Sequence, residues 1–219
     1  MPELVFQLHS WWHSGTGQGA GAHADAVIQR DPDGLPYLPG RTVKGLVREA
    51  LSRGASIDLI STAQRDQLLG SDFRDGQGGW NPSDRIPQRT DSDAAARMLT
   101  EARYSTEQGL LQFTNATLPD SWSTWAQGAD AASLGRLGQL LASTSIDKDG
   151  VASDHTLRTI EVAPPMTLRS QLTLRVSAKG DASESTWADT LRRCLPLVRS
   201  LGSHRNRGLG RVTISLEGA

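Results

Sequence analysis

Cysteine is almost missing from this chain: Cys194 stands alone among 219 residues. A single thiol excludes an intrachain disulfide and any cysteine-rich zinc cluster. It fits a reducing compartment, so a cytoplasmic location is expected. No run of about 18 apolar residues occurs, so no membrane span is expected. The opening MPELVFQLHSWW has neither the basic start nor the long apolar stretch of a secretory signal. Charge of one sign is not in excess either. Lys and Arg number 23 against 24 Asp and Glu, a net charge of −1, which argues against a protein that coats polyanions with its whole surface. Aromatic residues are 5% of the chain, and the aromatic-rich pattern with which sheet-face RNA binders stack bases is absent. Nor is PGRTVKG a nucleotide-triphosphate loop, because its lysine lies within a helix pattern and its glycine spacing differs from GxxxxGK followed by Ser or Thr.

What is present is unevenly placed. Arg192, Arg193, Arg199, Arg205, Arg207 and Arg211 fall within twenty residues, whereas Asp58, Asp66, Asp72, Asp75, Asp84, Asp91 and Asp93 lie elsewhere. Such polarity steers an anion to one face. Two segments combine glycine with these cations. Residues 202–211, GSHRNRGLGR, follow an amphipathic helix pattern and precede a strand pattern. Residues 34–48, GLPYLPGRTVKGLVR, form a Pro/Gly turn that opens a helix. Bare backbone amides beside positive side chains suit phosphate groups. Gly202, Ser203, His204, Arg205, Arg207, Gly208 and Gly210 in the first segment, and Lys44 and Arg48 in the second, are therefore the candidate RNA-binding residues. The competing reading is a glycine-rich helix end with solvated arginines, and an exposed basic helix face.

Periodicity supplies the rest. Leu4, Phe6 and Leu8 alternate over residues 3–9, as in a half-buried strand. Residues 14–24 have almost no bulk and read as a loop, Val27 and Ile28 as a short strand, and Asp31 to Gly34 as a turn. Thr42 is the expected cap of a helix whose Val43, Leu46, Val47, Ala50 and Leu51 face a core. Lys44 and Arg48 are i, i+4 neighbours on another face. A second short helix is expected within 56–69, and residues 70–106 read as a surface insertion with a weak helix near 91–99. Residues 109–118 read as a strand, 130–142 as a short helix and 143–165 as an extended arm. A clean strand pattern covers 166–176, an amphipathic helix 184–201 with Trp187 in its core stripe, and a strand Val212 to Leu216. Two strand–helix–strand halves predict an α+β fold: a ferredoxin-like (RRM-like) βαββαβ core within a single domain, with long insertions and a thumb-like arm.

The segments HSGTGQG (13–19) with DAVIQRD (25–31), GLPYLPGRTVKGLVREAL (34–51), TSIDKDGVA (144–152) with TIEVAPPMTL (159–168), and LGSHRNRGLGRV (201–212) stand in the order found in the RAMP superfamily of CRISPR-associated proteins. Together they resemble the backbone subunit that polymerises along guide RNA in type III effector complexes. The resemblance implies a ferredoxin-like fold and an arm, or thumb, around 143–165. It implies as partners guide RNA, target RNA, other RAMP-type subunits and copies of the chain itself. Asp25 stands six residues before Asp31, as the catalytic Asp does in target-cutting members, so the resemblance implies metal-dependent cleavage of target RNA with Asp25 as catalytic residue and ligand of Mg²⁺ or another divalent cation. Against this, Asp25 is a solvated loop acid and Asp31 and Asp33 are turn residues. The family usually carries Asp where this chain has Asn115. Two alternatives stay open. One is a metal-independent guide-processing endoribonuclease using His13 or His23 as general base, with His9 continuing the strand pattern. The other is a structural subunit without chemistry. Trp11 and Trp12, at a strand end, either stack a base or seal the sheet.

Overall fold

The computed structural model describes residues 1–21, 24–70, 108–175 and 186–219. Its strands are β1 (Glu3–Leu8), β2 (Leu111–Phe113), β3 (Gln139–Ser143), β4 (Arg158–Val162), β5 (Thr167–Leu174) and β6 (Val212–Glu217). Its α-helices are α1 (Gly40–Ser56), α2 (Thr62–Leu69), α3 (Asp120–Gly128), α4 (Ala131–Gly135) and α5 (Trp187–Cys194). Four strands form one sheet in the order β2-β5-β1-β6. Every neighbouring pair in it is antiparallel. With α1 leading from β1 towards β2 and α5 leading from β5 to β6, this is the ferredoxin-like arrangement that the sequence predicts.

Alternation decides which face is covered. Leu4, Phe6, Leu8, Leu168, Leu172, Val212 and Ile214 are buried, and they meet Val43, Leu46, Val47, Ala50 and Leu51 of α1 and Leu191 and Leu195 beside α5 in one core. The opposite face is polar: Arg169 of β5 bridges Glu3 of β1 and Glu217 of β6 at 3.1 and 2.8 Å. Cys194 is fully buried, and burial pushes its thiol pKa up, so the lone cysteine is a packing residue.

Several boundaries differ from the sequence reading. Pro39, not Thr42, precedes the first turn of α1, and no side chain of that residue caps it. The cap comes from across the fold: Asn115 accepts a hydrogen bond from the Gly40 N–H through Oδ1 at 2.8 Å. Gly40 itself lies against the 113–114 backbone, where a Cβ would come within 2.9 Å of Phe113 O. The strand expected over 109–118 shrinks to β2, and α3 follows where no helix was expected, started by Pro119 and Asp120. The helix expected over 130–142 is only the five residues of α4, after which β3 begins; Gly135 and Gly138 end it. Within the residues 143–165 expected to form an arm, β4 pairs with β3 as an antiparallel hairpin, Leu141 opposite Ile160. The last helix stops at Cys194, because Pro196 tightens the chain into a 3₁₀ turn, Leu195–Leu197. Most of the expected insertion, including the weak helix near 91–99, lies outside the described residues. The described residues on either side of the undescribed stretch, Gly70 and Gln108, form a β-bridge.

Candidate nucleic-acid interface

The glycine-rich segment is a loop closed at its base. Leu201 N–H donates to Gly210 O at 2.9 Å, and Gly210 N–H donates to Trp11 O at 2.7 Å. Two of its glycines are set by close packing. Gly202 (φ +76°) lies on the backbone of His13, and Gly210 (φ +70°) lies on Leu201 O, with no room for a Cβ at either. Gly208 also has positive φ but faces open space, leaving backbone that a ligand can approach. A Gly210→Ala change combines an unfavourable left-handed backbone with collision against a carbonyl. It is expected to lower stability by at least about 2 kcal/mol, while Gly208→Ala, with strain alone, costs about 1–2 kcal/mol. Chemical denaturation of both variants checks the order.

The loop rests on three other parts of the chain. Ser203 N–H donates to His13 O at 3.1 Å. His13 is 5% exposed, and its Nδ1 lies 2.6 Å from Glu161 O of β4. A carbonyl only accepts, so Nδ1 carries the proton there. Glu161 in turn binds Arg30 at 2.7 Å and the Ile28 N–H at 3.1 Å. Trp12 is fully buried and donates its indole N–H to Pro164 O at 2.9 Å, so it seals rather than stacks. The segments 11–15, 26–30, 158–164 and 199–211 thus converge on one buried imidazole. Glu161 is the residue that sequence reasoning missed. It stands in TIEVAPP without periodicity to mark it, and an acid opposite an arginine 131 positions away leaves no local signal.

Asp25 sits beside β4 at the edge of this junction. Its N–H donates to Thr159 O, and Thr159 N–H donates to its Oδ2, both at 2.7 Å. Asp31, in contrast, accepts from the N–H groups of Asp33 and Leu35 at 3.0 and 2.9 Å, which is turn chemistry. His23 lies outside the described residues. Among those described, no group of three His, Cys, Asp or Glu side chains is arranged to hold a metal ion. Asp25 offers a single carboxylate, one oxygen of which already accepts from Thr159 N–H; were it to hold Mg²⁺, water and phosphate oxygens would have to fill the remaining positions.

The helix that one cation-bearing segment opens touches the other segment and the chain before it. Arg205 Nη1 lies 2.9 Å from Glu49 Oε2 of α1, and Arg53 donates to Leu197 O at 2.7 Å. The predicted cations nevertheless divide into two kinds. Arg205 is paired with Glu49, and Arg48 directs its guanidinium at Leu69 O and Gly70 O (3.2 and 3.4 Å), closing the C-terminal end of α2. Lys44 and Arg207 have no carboxylate partner among the described residues, and Arg207 is exposed. Burial, reinforced by the Arg48 charge, holds the Lys44 ammonium below its usual pKa. The first turn of α1 holds no acidic residue, so its positive dipole end adds to the same field. His204 Nδ1 is 3.1 Å from Ser203 Oγ, within the loop.

A family model and two solved structures place the chain among known proteins. The family model described as RAMPs, RAMP superfamily, matches residues 5–213. Two solved structures share the fold at 14% identity and a TM-score of 0.62. One is from a cryo-EM structure of the type III-B Cmr-beta bound to cognate target RNA, matched over 99% of this chain and 97% of that one. The other is from the apo state of type III-B Cmr-beta, matched over 99% and 96%. No match to a curated protein sequence is found.

Proposed function

The chain belongs to the RAMP superfamily, and from that premise we propose that it is the guide-RNA-binding backbone subunit of a type III CRISPR effector complex. The observation that carries this reading is Lys44. It is a half-buried ammonium with no counter-ion among the described residues, depressed in pKa by burial and by Arg48, near an acid-free helix start. An ammonium without a carboxylate partner, close to an acid-free helix start, is open to an anion there. Gly208 and Arg207 offer a second phosphate contact on a loop that the Arg205–Glu49 pair fastens to the same helix. Arg48 and Arg205 act as positioning residues. Backbone contacts of this kind hold RNA without reading its sequence. The Cmr-beta neighbours, one bound to target RNA, support RNA and further effector subunits as partners.

The arm wedges the guide–target duplex in this reading. Leu140 and Leu141 of β3, and Ile146, Val151 and Leu157 beyond it, are exposed, which suits insertion between stacked bases or against a neighbour. Asp25, tied to the base of that arm, is the residue proposed for target cleavage. It would hold a divalent cation supplying Lewis-acid stabilisation at the scissile phosphate. The nucleophile, a 2′-hydroxyl, belongs to the RNA, so the protein's part is to orient the strand and exclude alternatives. His13 as a metal-independent base is less favoured, since it is buried with Nδ1 bonded to a backbone carbonyl. Purification of the chain with its native neighbours tests the proposal. A short guide RNA should accompany it, released by high salt and bound regardless of base sequence. Sequence-selective or salt-insensitive binding would sink the reading.

A further inference from the structure

His13 is buried, yet one of its ring nitrogens is unused. Nδ1 donates to Glu161 O, and in the neutral ring the other nitrogen is then a bare acceptor. Nε2 has no hydrogen-bonding partner among the described residues. Among those residues every side-chain nitrogen or oxygen sealed from solvent does have a partner. Nε2 is therefore reached from outside, although His13 as a whole is only 5% exposed. The opening lies over Gly15. A Cβ there would come within 2.7 Å of Nε2, and the three nearest atoms it would meet all belong to the His13 ring. The backbone does not demand glycine at this position. Gly15 is not among the residues with positive φ, and it is exposed. It is held in place by a β-bridge to Ile28 and by Gln29 Nε2, which donates to its carbonyl at 3.2 Å. The visible consequence of the missing side chain is that the Nε2 lone pair stays clear.

The glycine-rich loop rests on this same residue: Gly202 packs on the His13 backbone, and Ser203 N–H donates to His13 O. A ligand held by that loop must bring a donor to Nε2. Phosphate oxygens only accept. Base amino groups donate, but contact with them would impose a sequence preference. The donor that every nucleotide of an RNA backbone carries is the ribose 2′-hydroxyl. We infer that His13 Nε2 accepts a hydrogen bond from a 2′-hydroxyl of the guide strand, and that Gly15 keeps the way to it open. The inference rests on the proposal that the loop holds guide RNA by its phosphates, and it adds a contact that distinguishes RNA from DNA. The role of His13 is recognition of the sugar, with no proton transferred.

The test uses the full chain, an unstructured RNA oligonucleotide and its 2′-fluoro counterpart, which keeps the ribose pucker but has no hydroxyl proton. Wild type should bind the RNA at least about fivefold more tightly, the effect of one ordinary hydrogen bond. Two variants remove the contact in different ways. His13→Asn keeps an amide N–H for Glu161 O and deletes the acceptor, whereas Gly15→Ala keeps the ring and covers Nε2. Each should lose about fivefold in affinity for the RNA and nothing for the 2′-fluoro strand, a coupling that damaged packing does not produce. Equal losses for the two strands overturn the inference and leave His13 a packing residue. Equal binding of the two strands by wild type, still weakened by salt, also overturns it, while the phosphate contacts stand. Failure to bind either strand brings down those contacts and this one together. Cutting of the RNA by the wild-type chain that His13→Asn abolishes at unchanged affinity overturns it in favour of a general base.

Discussion

Guide-RNA binding should weaken on the order of a hundredfold when Lys44→Met and Arg207→Ala are combined. Each removes one charge-assisted contact to phosphate, worth about 1.5–3 kcal/mol where partly buried and less where exposed. About 2.7 kcal/mol in total is a hundredfold in the dissociation constant. Two lost phosphate contacts also flatten the salt dependence, lowering the magnitude of the log–log slope by about 1.4 for a single strand. Anisotropy titrations of a labelled guide at several salt concentrations read both quantities. A structural lysine predicts a different pattern, and the sign separates them. Because burial and Arg48 disfavour the charged form of Lys44, Lys44→Met should raise the melting temperature of the free protein while it lowers RNA affinity. A lysine that held the fold together would lower both. The pH dependence follows from the same depression. The folded pKa lies below the ordinary 10.5, so between the two values the unfolded chain binds the extra proton. Stability of the free protein therefore rises with pH across that window. Bound phosphate restores the ammonium, so RNA affinity falls as pH climbs through the lowered pKa. An affinity that stays flat from neutral pH up to 10.5 counts against a contact to Lys44.

Periodicity made the core legible. Residues 3–9, 42–51, 166–176 and 212–216 each carry a repeat of 2 or 3.6, and β1, α1, β5 and β6 form there with buried positions in phase among the described residues, their ends differing by a few residues. The sheet order follows from their succession and from the antiparallel preference of short connections. What escaped is whatever depends on partners distant in sequence. Thr42 is a good local cap, but Gly40 is already helical because Asn115 reaches its N–H from the far side of β2. Gly135 and Gly138 cut short the helix expected over 130–142, and β3 exists only because β4 pairs with it. Among the candidate site residues, composition identified the cations but not their roles. Arg48 and Arg205 have the same sequence surroundings as Lys44 and Arg207. Only the position of the α2 carbonyls and of Glu49 distinguishes an arginine engaged by the fold from one left to solvent.

Target cleavage should fall by roughly a thousandfold in Asp25→Asn, with guide binding unchanged. The substitution is chosen for what it keeps. Thr159 N–H donates to Asp25 Oδ2, and an asparagine amide oxygen accepts the same bond, so the edge between residues 25 and 159 and the base of the arm stay in place. What it removes is the negative charge that would hold a divalent cation, and losing several kcal/mol of charge stabilisation at the scissile phosphate corresponds to about that factor in rate. Asp25→Ala should lose cleavage to the same extent and also loosen the arm, visible as faster hydrogen exchange at Thr159. The readout is single-turnover cleavage of a matched target by the assembled complex, with Mg²⁺ and with excess chelator. Cleavage that survives chelator and disappears in His13→Ala would move the chemistry to the buried imidazole, whereas an assembled complex that never cuts under any metal would leave the arm and Asp25 with a structural task alone.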